Sequence, residues 1–333
     1  MPKSDSCIPS SKVVNVLALT KDQAGGKGRQ RSHQDSCVHG RCKLSDRESC
    51  GTGKPPGVKI SRYHQRLSKT NMAINDSEVR WCLITGVSAG GLGDALTTEL
   101  LKRPGFHVIA TGLELGYLDY LENSANLAKV QLDVTSASSI STAVQNITDL
   151  TGGRLHYLVN NAGYGYMMPL LDAGMEAVRH NFEVNVFGLL AVTQAFFPLL
   201  KEAQGTVVNQ CSIASLPPGR QPYIGTYCAT KAAVASLNDT MRLEFAPFGV
   251  RVICLVTGDV KTGFWTHTPA AKSGLPSSSP YDQIRSHVET MMRGDSNPPG
   301  QHSRERWASA VVGDLLESRP DRFIRRGFLA WTM

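Results

Sequence analysis

The feature that most constrains this sequence is a regular alternation of short apolar runs with segments of helical length. From residue 79 onward, six apolar runs read RWCLIT, FHVIAT, AKVQLDV, LHYLVN, GTVVNQCS and VRVICLV. Between most of them lie longer segments at 92–103, 136–150, 176–203 and 226–246. Short apolar strands joined by helices form right-handed βαβ units, whose parallel sheet is buried on both faces. The sequence therefore predicts a single α/β domain over 79–333, with a Rossmann-type, doubly wound parallel sheet.

Residues 1–78 form a compositionally different segment, rich in Ser, Gly, Lys, Arg and Pro and without hydrophobic periodicity. Residues 1–71 carry 14 Lys and Arg against 5 Asp and Glu, whereas the remainder carries 21 against 23. Such a segment buries too little apolar surface to offset the entropy of ordering, so we predict a disordered, basic extension. Met72 stands just ahead of the first strand and reads as a natural start. A regulatory tail, a targeting segment and a wrongly chosen start codon therefore stay open for residues 1–71.

The positions of the charged residues and of the cysteines indicate which partners the protein binds and in which cellular compartment it is found. Because the basic charge lies in the extension, we expect the nearly neutral domain to bind no nucleic acid. His33, Cys37, Cys42 and Cys50 match no standard zinc spacing, so we expect no metal site. Four further cysteines lie in apolar runs as buried thiols, and no signal peptide is evident, which together indicate an intracellular, cytoplasmic protein. No apolar run approaches the roughly 20 residues that span a bilayer, so we expect no transmembrane segment.

The segment LITGVSAGGLGDAL (83–96) joins the first predicted strand to the first predicted helix. Its glycines permit positive φ and let a ligand approach the backbone, while the N-terminus of the helix that starts near Leu92 attracts an anion. A pyrophosphate fits this arrangement, and a purely structural turn explains the glycines as well. Strand two ends in VIATGLE, with Gly112 and Leu113 where Asp or Arg would select between NADH and NADPH. These residues leave the choice of cofactor open.

The stretch TYCATKAAVASL (226–237) places Tyr227 four residues before Lys231, on one face of a predicted helix. Alone, such a pair is a weak signal, because tyrosine and lysine also share helix faces without any catalytic role. Three other motifs occur in chain order: TGVSAGGLG at 85–93, NNAG at 160–163 and FEVNVFG at 182–188. With YCATK at 227–231, they make residues 79–331 resemble the short-chain dehydrogenase/reductases, which use a nicotinamide dinucleotide to interconvert ketones and alcohols.

This resemblance implies a role for each motif. Tyr227 would protonate the carbonyl oxygen as hydride arrives at carbon, with its pKa lowered by the ammonium of Lys231. Lys231 would also bind the nicotinamide ribose, Ser212 would hydrogen-bond the carbonyl oxygen, and Asn185 would hold a water of a proton relay. Ser215 is a rival to Ser212, because the loop before Tyr227 is about two residues longer than is usual in the family. Besides Tyr227 and Lys231, the implied cofactor contacts are Gly86, Ser88, Gly91, Leu92, Gly93, Asp133, Asn160, Val260 and Thr262.

Within the family, the extra glycine of TGVSAGGLG and the VTG at 256–258 in place of VPG resemble the fungal NADPH-dependent acyl-dihydroxyacetone-phosphate reductases. That likeness implies NADP(H) as the preferred cofactor, with NAD(H) not excluded, and reduction of a lipid-linked ketone. It also raises a peripheral association with the endoplasmic reticulum or lipid droplets, which nothing else in the sequence supports. Family members are usually homo-oligomers, which we expect here by analogy.

Besides reduction of a lipid-linked ketone, the sequence leaves two other functions open. One is the same chemistry on a polyketide-type metabolite, a steroid or a retinoid. The other is a dinucleotide-binding protein with little catalysis. Residues 263–305 are rich in Ser and Pro and contain Phe264, Trp265, Met291 and Met292. We expect this segment to form a lid over an apolar small-molecule substrate.

Overall fold

The computed structural model describes residues 79–217, 219–265, 268–294 and 300–331. The predicted extension at 1–78, with its four candidate zinc ligands, lies outside these residues. Within them, a seven-stranded parallel sheet has the order β3-β2-β1-β4-β5-β6-β7, which confirms the predicted α/β fold. The strands are β1 Arg80–Ile84, β2 Phe106–Gly112, β3 Leu127–Gln131, β4 Tyr157–Asn160, β5 Thr206–Ser212, β6 Arg251–Thr257 and β7 Phe323–Arg326.

Helices cover both faces of the sheet. In the described part of the chain they are α1 Leu92–Leu101, α2 Ala137–Thr151, α3 Met175–Phe182, α4 Leu189–Ala203, α5 Gly225–Phe245, α6 Pro269–Ser273, α7 Arg285–Met292 and α8 Arg304–Leu315. A π-helical turn, Glu183–Gly188, joins α3 to α4, so the helix predicted over 176–203 is interrupted in its middle. Helices α1 and α8 pack on one face of the sheet, and α2, α4 and α5 pack on the other.

The alternation of side chains along each strand explains the uninterrupted apolar runs. Successive strand residues point to opposite faces of the sheet. Leu83 packs into the core that contains Phe196 of α4, whereas Cys82 and Ile84 pack into the core that contains Trp307 of α8. Because helices cover both faces, most positions along a central strand are apolar, and buried polar ones such as Asn160 and Asn209 hydrogen-bond each other.

The order of the strands places a binding site at the junction between β1 and β4. From β1 the chain proceeds outward through β2 and β3, and from β4 it proceeds in the opposite direction to β7. In open sheets of this kind, a crevice forms beyond the carboxyl ends of the strands where the order reverses. The loops that follow β1 and β4 carry the glycine-rich motif and NNAG.

The continuous helical stretch Met175–Ala203 has the length and composition of a membrane span, with a mean hydropathy of 1.5. The sequence analysis did not anticipate this. Half of its most apolar window is buried inside the structure, where α4 packs against α2 and the π-helical turn packs against α5. A buried core helix meets the same criterion of length and hydropathy.

Hydrogen bonds between three buried asparagines connect β4, β5 and α5 and offer a test of the fold. The Nδ2 of Asn160 donates to Oδ1 of Asn209 at 2.9 Å, and the Nδ2 of Asn209 donates to Oδ1 of Asn238 at 3.0 Å. We predict that Asn209→Ala lowers the free energy of unfolding by about 1–3 kcal/mol, because the buried side chains of Asn160 and Asn238 each lose a hydrogen-bond partner. Urea denaturation measures this loss. Asn123→Ala, in an exposed loop, is the matched control, and equal midpoints for the two variants would contradict the prediction.

Candidate active site

A cleft of about 980 Å³ lies at the carboxyl ends of the strands. The loops after β1, β4 and β6, the end of β5 and the start of α5 all contribute to its lining. Of the predicted site residues, those that line the cleft are Gly86, Ser88, Gly91, Leu92, Ser212, Tyr227, Lys231, Val260 and Thr262. The topology thus brings together residues that are more than 170 positions apart in the sequence.

The glycine-rich loop is shaped by its contacts with the loop after β4. Gly86 has φ of 67°, and a Cβ there would lie 2.6 Å from Cα of Ala162. A Cβ on Gly93 would lie 2.7 Å from Nδ2 of Asn161. Both positions therefore require glycine. Gly91 caps α1 without a side-chain hydrogen bond, so the first N–H groups of this helix border the cleft beside Leu92. These residues fit the diphosphate of a dinucleotide, which a helix N-terminus attracts.

The NNAG motif divides its two asparagines between different tasks. Asn160 is 3% exposed, donates to Thr193 and Asn209, and does not line the cleft. Asn161 does line it, and its Nδ2 donates to the carbonyl oxygens of Thr85 and Gly86 at 2.8 and 3.0 Å. The structure therefore places the predicted cofactor residue Asn160 in the core and its neighbour Asn161 at the cleft. The two differ because Asn160 is the last residue of β4, inside the sheet, whereas Asn161 is the first residue of the loop that follows.

Asp133 also lies outside the lining of the cleft. Its Oδ1 accepts hydrogen bonds from N and Oγ1 of Thr135, and its own N–H donates to Ser139. These contacts form the turn that begins α2. The structure thus gives Asp133 a structural task, and its implied contact with adenine stays a prediction.

The structure distinguishes the two serines that compete for the catalytic position. Ser212 lines the cleft, and its Oγ accepts from the N–H of Ala214 at 3.1 Å and hydrogen-bonds the side chain of Tyr227. Ser215 is 1% exposed, and its Oγ donates to the carbonyl oxygen of Ser212 at 2.7 Å. Ser215 therefore supports the turn, and Ser212 faces the tyrosine. The longer loop after Ser215 leaves this arrangement in place.

Tyr227 and Lys231 occupy the buried start of α5, with exposures of 8% and 4%. The Nζ of Lys231 donates to the carbonyl oxygen of Gln210 at 2.8 Å and lies 5.7 Å from the centroid of the Tyr227 ring. Burial raises the pKa of Tyr227, an effect that its hydrogen bond with Ser212 only partly offsets. Burial likewise lowers the pKa of Lys231, because it disfavours the ammonium. The lowering of the tyrosine pKa by Lys231 and the positively charged nicotinamide together stays a prediction.

Asn185 lies in the π-helical turn and is 1% exposed. Its Oδ1 accepts from the N–H of Tyr164, and its Nδ2 donates to the carbonyl oxygen of Tyr164 and to Oγ1 of Thr230. A Cβ on Gly163 would lie 3.5 Å from Oδ1 of Asn185 and 3.9 Å from Nζ of Lys231. Asn185 is therefore close to Lys231, and a water held between them stays a prediction.

The segment predicted as a lid contributes an apolar wall. Residues 266, 267 and 295–299 of this segment lie outside the described residues. The rings of Phe264 and Trp265 pack on Tyr227, with centroids 5.7 and 5.0 Å from its ring. Further along, Oγ of the buried Ser279 donates to Asp172 at 2.7 Å, which fastens the segment to the loop before α3.

Several residues that line the cleft were not singled out from the sequence. Arg304 and Ser303 at the start of α8 are far from every motif. Ser303 is an N-cap, which its position before the helical segment signals, but no local pattern signals proximity to the glycine-rich loop. Only the packing of α8 beside α1 shows that proximity.

The sequence of this chain is similar to those of known short-chain dehydrogenases. The family profile described as short chain dehydrogenase matches residues 80–273. A short-chain dehydrogenase from Penicillium crustosum is 41% identical over 255 residues, which is 76% of this chain and 90% of the relative. An NADPH-dependent 1-acyldihydroxyacetone phosphate reductase from Schizosaccharomyces pombe is 39% identical over 183 residues, which is 55% of this chain and 60% of that protein.

Two solved structures share the fold. A short-chain dehydrogenase from Streptomyces avermitilis has a TM-score of 0.64 at 25% identity. Another from Burkholderia cenocepacia, in complex with NADP, has a TM-score of 0.59 at 26% identity. Each match covers 76% of this chain and 90% of the other. With the sheet topology and the lining of the cleft, these relatives show that this chain is an oxidoreductase of the NAD(P)-binding short-chain dehydrogenase family.

Proposed function

We propose that this protein is an NADP(H)-dependent oxidoreductase that reduces a ketone on a neutral, apolar substrate to a secondary alcohol. The observation that carries the proposal is the position of Tyr227. Its ring lies in the cleft next to Ser212, where the glycine-rich loop region meets an apolar wall that contains Phe264 and Trp265. A carbonyl group at this junction lies within reach of both hydroxyl groups.

The side chains supply the acid part of the reaction. The nicotinamide cofactor, when bound, provides the hydride that the carbonyl carbon accepts. Tyr227 donates its phenolic proton to the carbonyl oxygen, which completes the alcohol and leaves a phenolate. The Oγ of Ser212 accepts from the N–H of Ala214, and its single proton remains available for one hydrogen bond, to Tyr227 or to the substrate oxygen. The buried ammonium of Lys231 stabilises the phenolate until it is protonated again.

The preference for NADP(H) has two supports. Strand β2 ends at Gly112, which is followed by Leu113 and then Glu114, so the two positions at the strand end hold no carboxylate and are compatible with NADP(H). One relative is named as NADPH-dependent, and one similar structure contains NADP. Titration with both cofactors decides between NADPH and NADH.

The lining of the cleft favours a neutral substrate. Seven apolar residues line the same cleft as Tyr227, namely Met167, Ile213, Ala214, Ile224, Phe264, Trp265 and Met291. Among the described lining residues, the cations are Lys231, Lys261 and Arg304. Lys231 donates to the carbonyl oxygen of Gln210 and lies beside the ring of Tyr227. Lys261 lies beside His302, near the start of α8. A substrate phosphate placed among these apolar side chains would lack a partner, which is costly. A polyketide-type metabolite, a steroid or a retinoid has the neutral chemistry that fits.

Acyl-dihydroxyacetone phosphate is the second candidate. The name and the 39% identity of the fission yeast relative favour it, and its acyl chain would suit the same apolar wall. A homo-oligomer, the cytoplasmic location and the peripheral membrane association remain predictions that accompany either substrate.

Removal of the phenolic hydroxyl tests the chemistry. We predict that Tyr227→Phe lowers kcat for ketone reduction at least about 100-fold, because it removes the general acid, while NADPH binding persists. Turnover is followed by NADPH absorbance, and binding by NADPH fluorescence. Tyr223→Phe, outside the lining of the cleft, is the matched control. Full turnover by the Tyr227 variant would refute the assigned role, and wild-type binding without turnover of any ketone would favour a binding protein.

The alkaline side of the pH profile tests Lys231. The pKa of Tyr227 is raised, so its protonated donor persists as pH increases. The pKa of Lys231 is lowered, so its ammonium is lost at a lower pH than in an exposed lysine. We therefore predict that kcat/KM falls as pH rises, with an apparent pKa below that of free lysine. Lys231→Arg, which keeps its charge, should show a lower rate without this decline. An identical decline in the variant would assign it to another group.

Competition between substrates tests the neutral pocket. We predict that a neutral bicyclic ketone such as 2-tetralone is reduced with a kcat/KM at least about 10-fold above that of acyl-dihydroxyacetone phosphate, since the phosphate must be desolvated without a partner. Initial rates of NADPH consumption at subsaturating substrate give the ratio. A clear preference for the phosphate-bearing ketone would instead establish the second candidate.

A further inference from the structure

Arg304 occupies an edge of the cleft that no sequence motif marks. It is the first residue of α8, after the N-cap Ser303, and lines the cleft with the glycine-rich loop. Its side chain is 39% exposed. An arginine at the border of a dinucleotide cleft presents a planar set of donors that matches phosphate oxygens.

The guanidinium group lies directly against the glycine-rich loop. Its Nη1 is 3.0 Å from the point that a Cβ on Gly90 would occupy. Among the described residues, Arg304 forms an ion pair with Glu305, through Nε at 2.9 Å, and the Glu305 side chain is 68% exposed. An exposed pair of this kind holds weakly. One of the two outer nitrogen atoms, Nη1, thus lies against the loop, while the ion pair with Glu305, which also lines the cleft, uses Nε.

The charged residues around Gly90 show on which side of the glycine-rich loop Arg304 lies. Asp94 accepts the N–H of Gly90 at 2.9 Å and hydrogen-bonds Tyr120, a residue that follows β2. Burial raises the pKa of Tyr120, Asp94 raises it further, and Arg304 acts on that pKa in the opposite direction. Because Arg304 lies against Gly90, whose N–H binds the same Asp94 that hydrogen-bonds Tyr120, it lies on the β2 side of the loop, the side of the adenosine half of a dinucleotide. There it offsets a carboxylate that would otherwise repel an anion.

We propose that Arg304 binds a phosphate group of the dinucleotide at the Gly90 edge of the cleft. The group is either the diphosphate, which both cofactors share, or the 2′-phosphate, which only NADP(H) carries. The proposal rests on the NADP(H)-dependent function proposed above. Arg304 is in this account a cofactor-binding residue and takes no part in the proton transfer of Tyr227.

Direct binding measurements on the full chain test the proposal. Calorimetric titration with NADPH and with NADH is carried out on the wild-type protein, Arg304→Ala, Arg304→Lys and Arg306→Ala. Arg306 is exposed on the same turn and does not line the cleft, so it is the matched control. We expect Arg304→Ala to raise the Kd for NADPH about 10-fold, as for loss of a partly exposed charge-assisted hydrogen bond. Arg304→Lys should give an intermediate Kd, because it keeps the charge and loses the fork.

The two cofactors identify which phosphate is bound. A weaker Kd for NADPH with an unchanged Kd for NADH supports a contact with the 2′-phosphate, and an equal loss for both supports the diphosphate. The proposal is overturned if both Arg304 variants bind both cofactors as Arg306→Ala does. A wild-type protein that binds neither cofactor overturns it together with the proposed function. Reduction lost in Tyr227→Phe with unchanged binding in Arg304→Ala overturns the Arg304 contact alone.

Discussion

The hydrogen bonds between Asn161 and the start of the glycine-rich loop hold the site in place. Oγ1 of Thr85 accepts the N–H groups of Asn161 and Ala162, and the side chain of Asn161 returns two hydrogen bonds to the carbonyl oxygens of Thr85 and Gly86. These bonds join the loops after β1 and β4, the two strands at which the sheet reverses its order. Because the loops are tied to each other, the N-terminus of α1 keeps a fixed position relative to β4 and to Gly163. The distance from the cofactor site to the catalytic side chains is thereby fixed in the backbone.

The catalytic side chains depend on a second set of buried contacts. The side chain of Asn185 ties the backbone of Tyr164 to Thr230 of α5, one residue before Lys231. Lys231 in turn bonds Gln210 of β5. A lysine at 4% exposure is costly unless its charge has a partner, and the phenolate of the proposed reaction would be that partner. The burial that keeps Tyr227 protonated and the burial that weakens the ammonium of Lys231 thus come from the same packing.

Sequence reasoning succeeded where one strand or one loop carries the information, and failed where packing between distant segments decides. The apolar runs predicted the sheet, and the glycines after β1 predicted a backbone with positive φ, which Gly86 adopts, because period and backbone conformation are local properties. The π-helical turn at Glu183–Gly188 was missed, since its apolar pattern resembles that of a continuous helix. Asn160 and Asn161 differ because β4 ends between them, which leaves Asn160 in the sheet and Asn161 in the loop beside the cleft, and sequence alone does not fix that boundary to one residue. Arg304 reaches Gly90 through the packing of α8 on α1, which no local pattern encodes.

The candidate catalytic side chains and the apolar wall of the cleft come from different parts of the chain. Tyr227, Lys231 and Ser212 are positioned by β5 and α5, which belong to the core. The apolar wall comes from Phe264 and Trp265 and from the segment around α6 and α7, which shares one cluster of buried residues with Tyr227. That segment is fastened by polar contacts, such as Ser279 to Asp172 and Arg285 to the carbonyl oxygens of Leu275 and Pro276. Because Phe264 and Trp265 pack directly on the ring of Tyr227, a substitution in this wall changes the surroundings of the proposed proton donor as well as the substrate pocket, so its effects on rate and on substrate preference must be measured together.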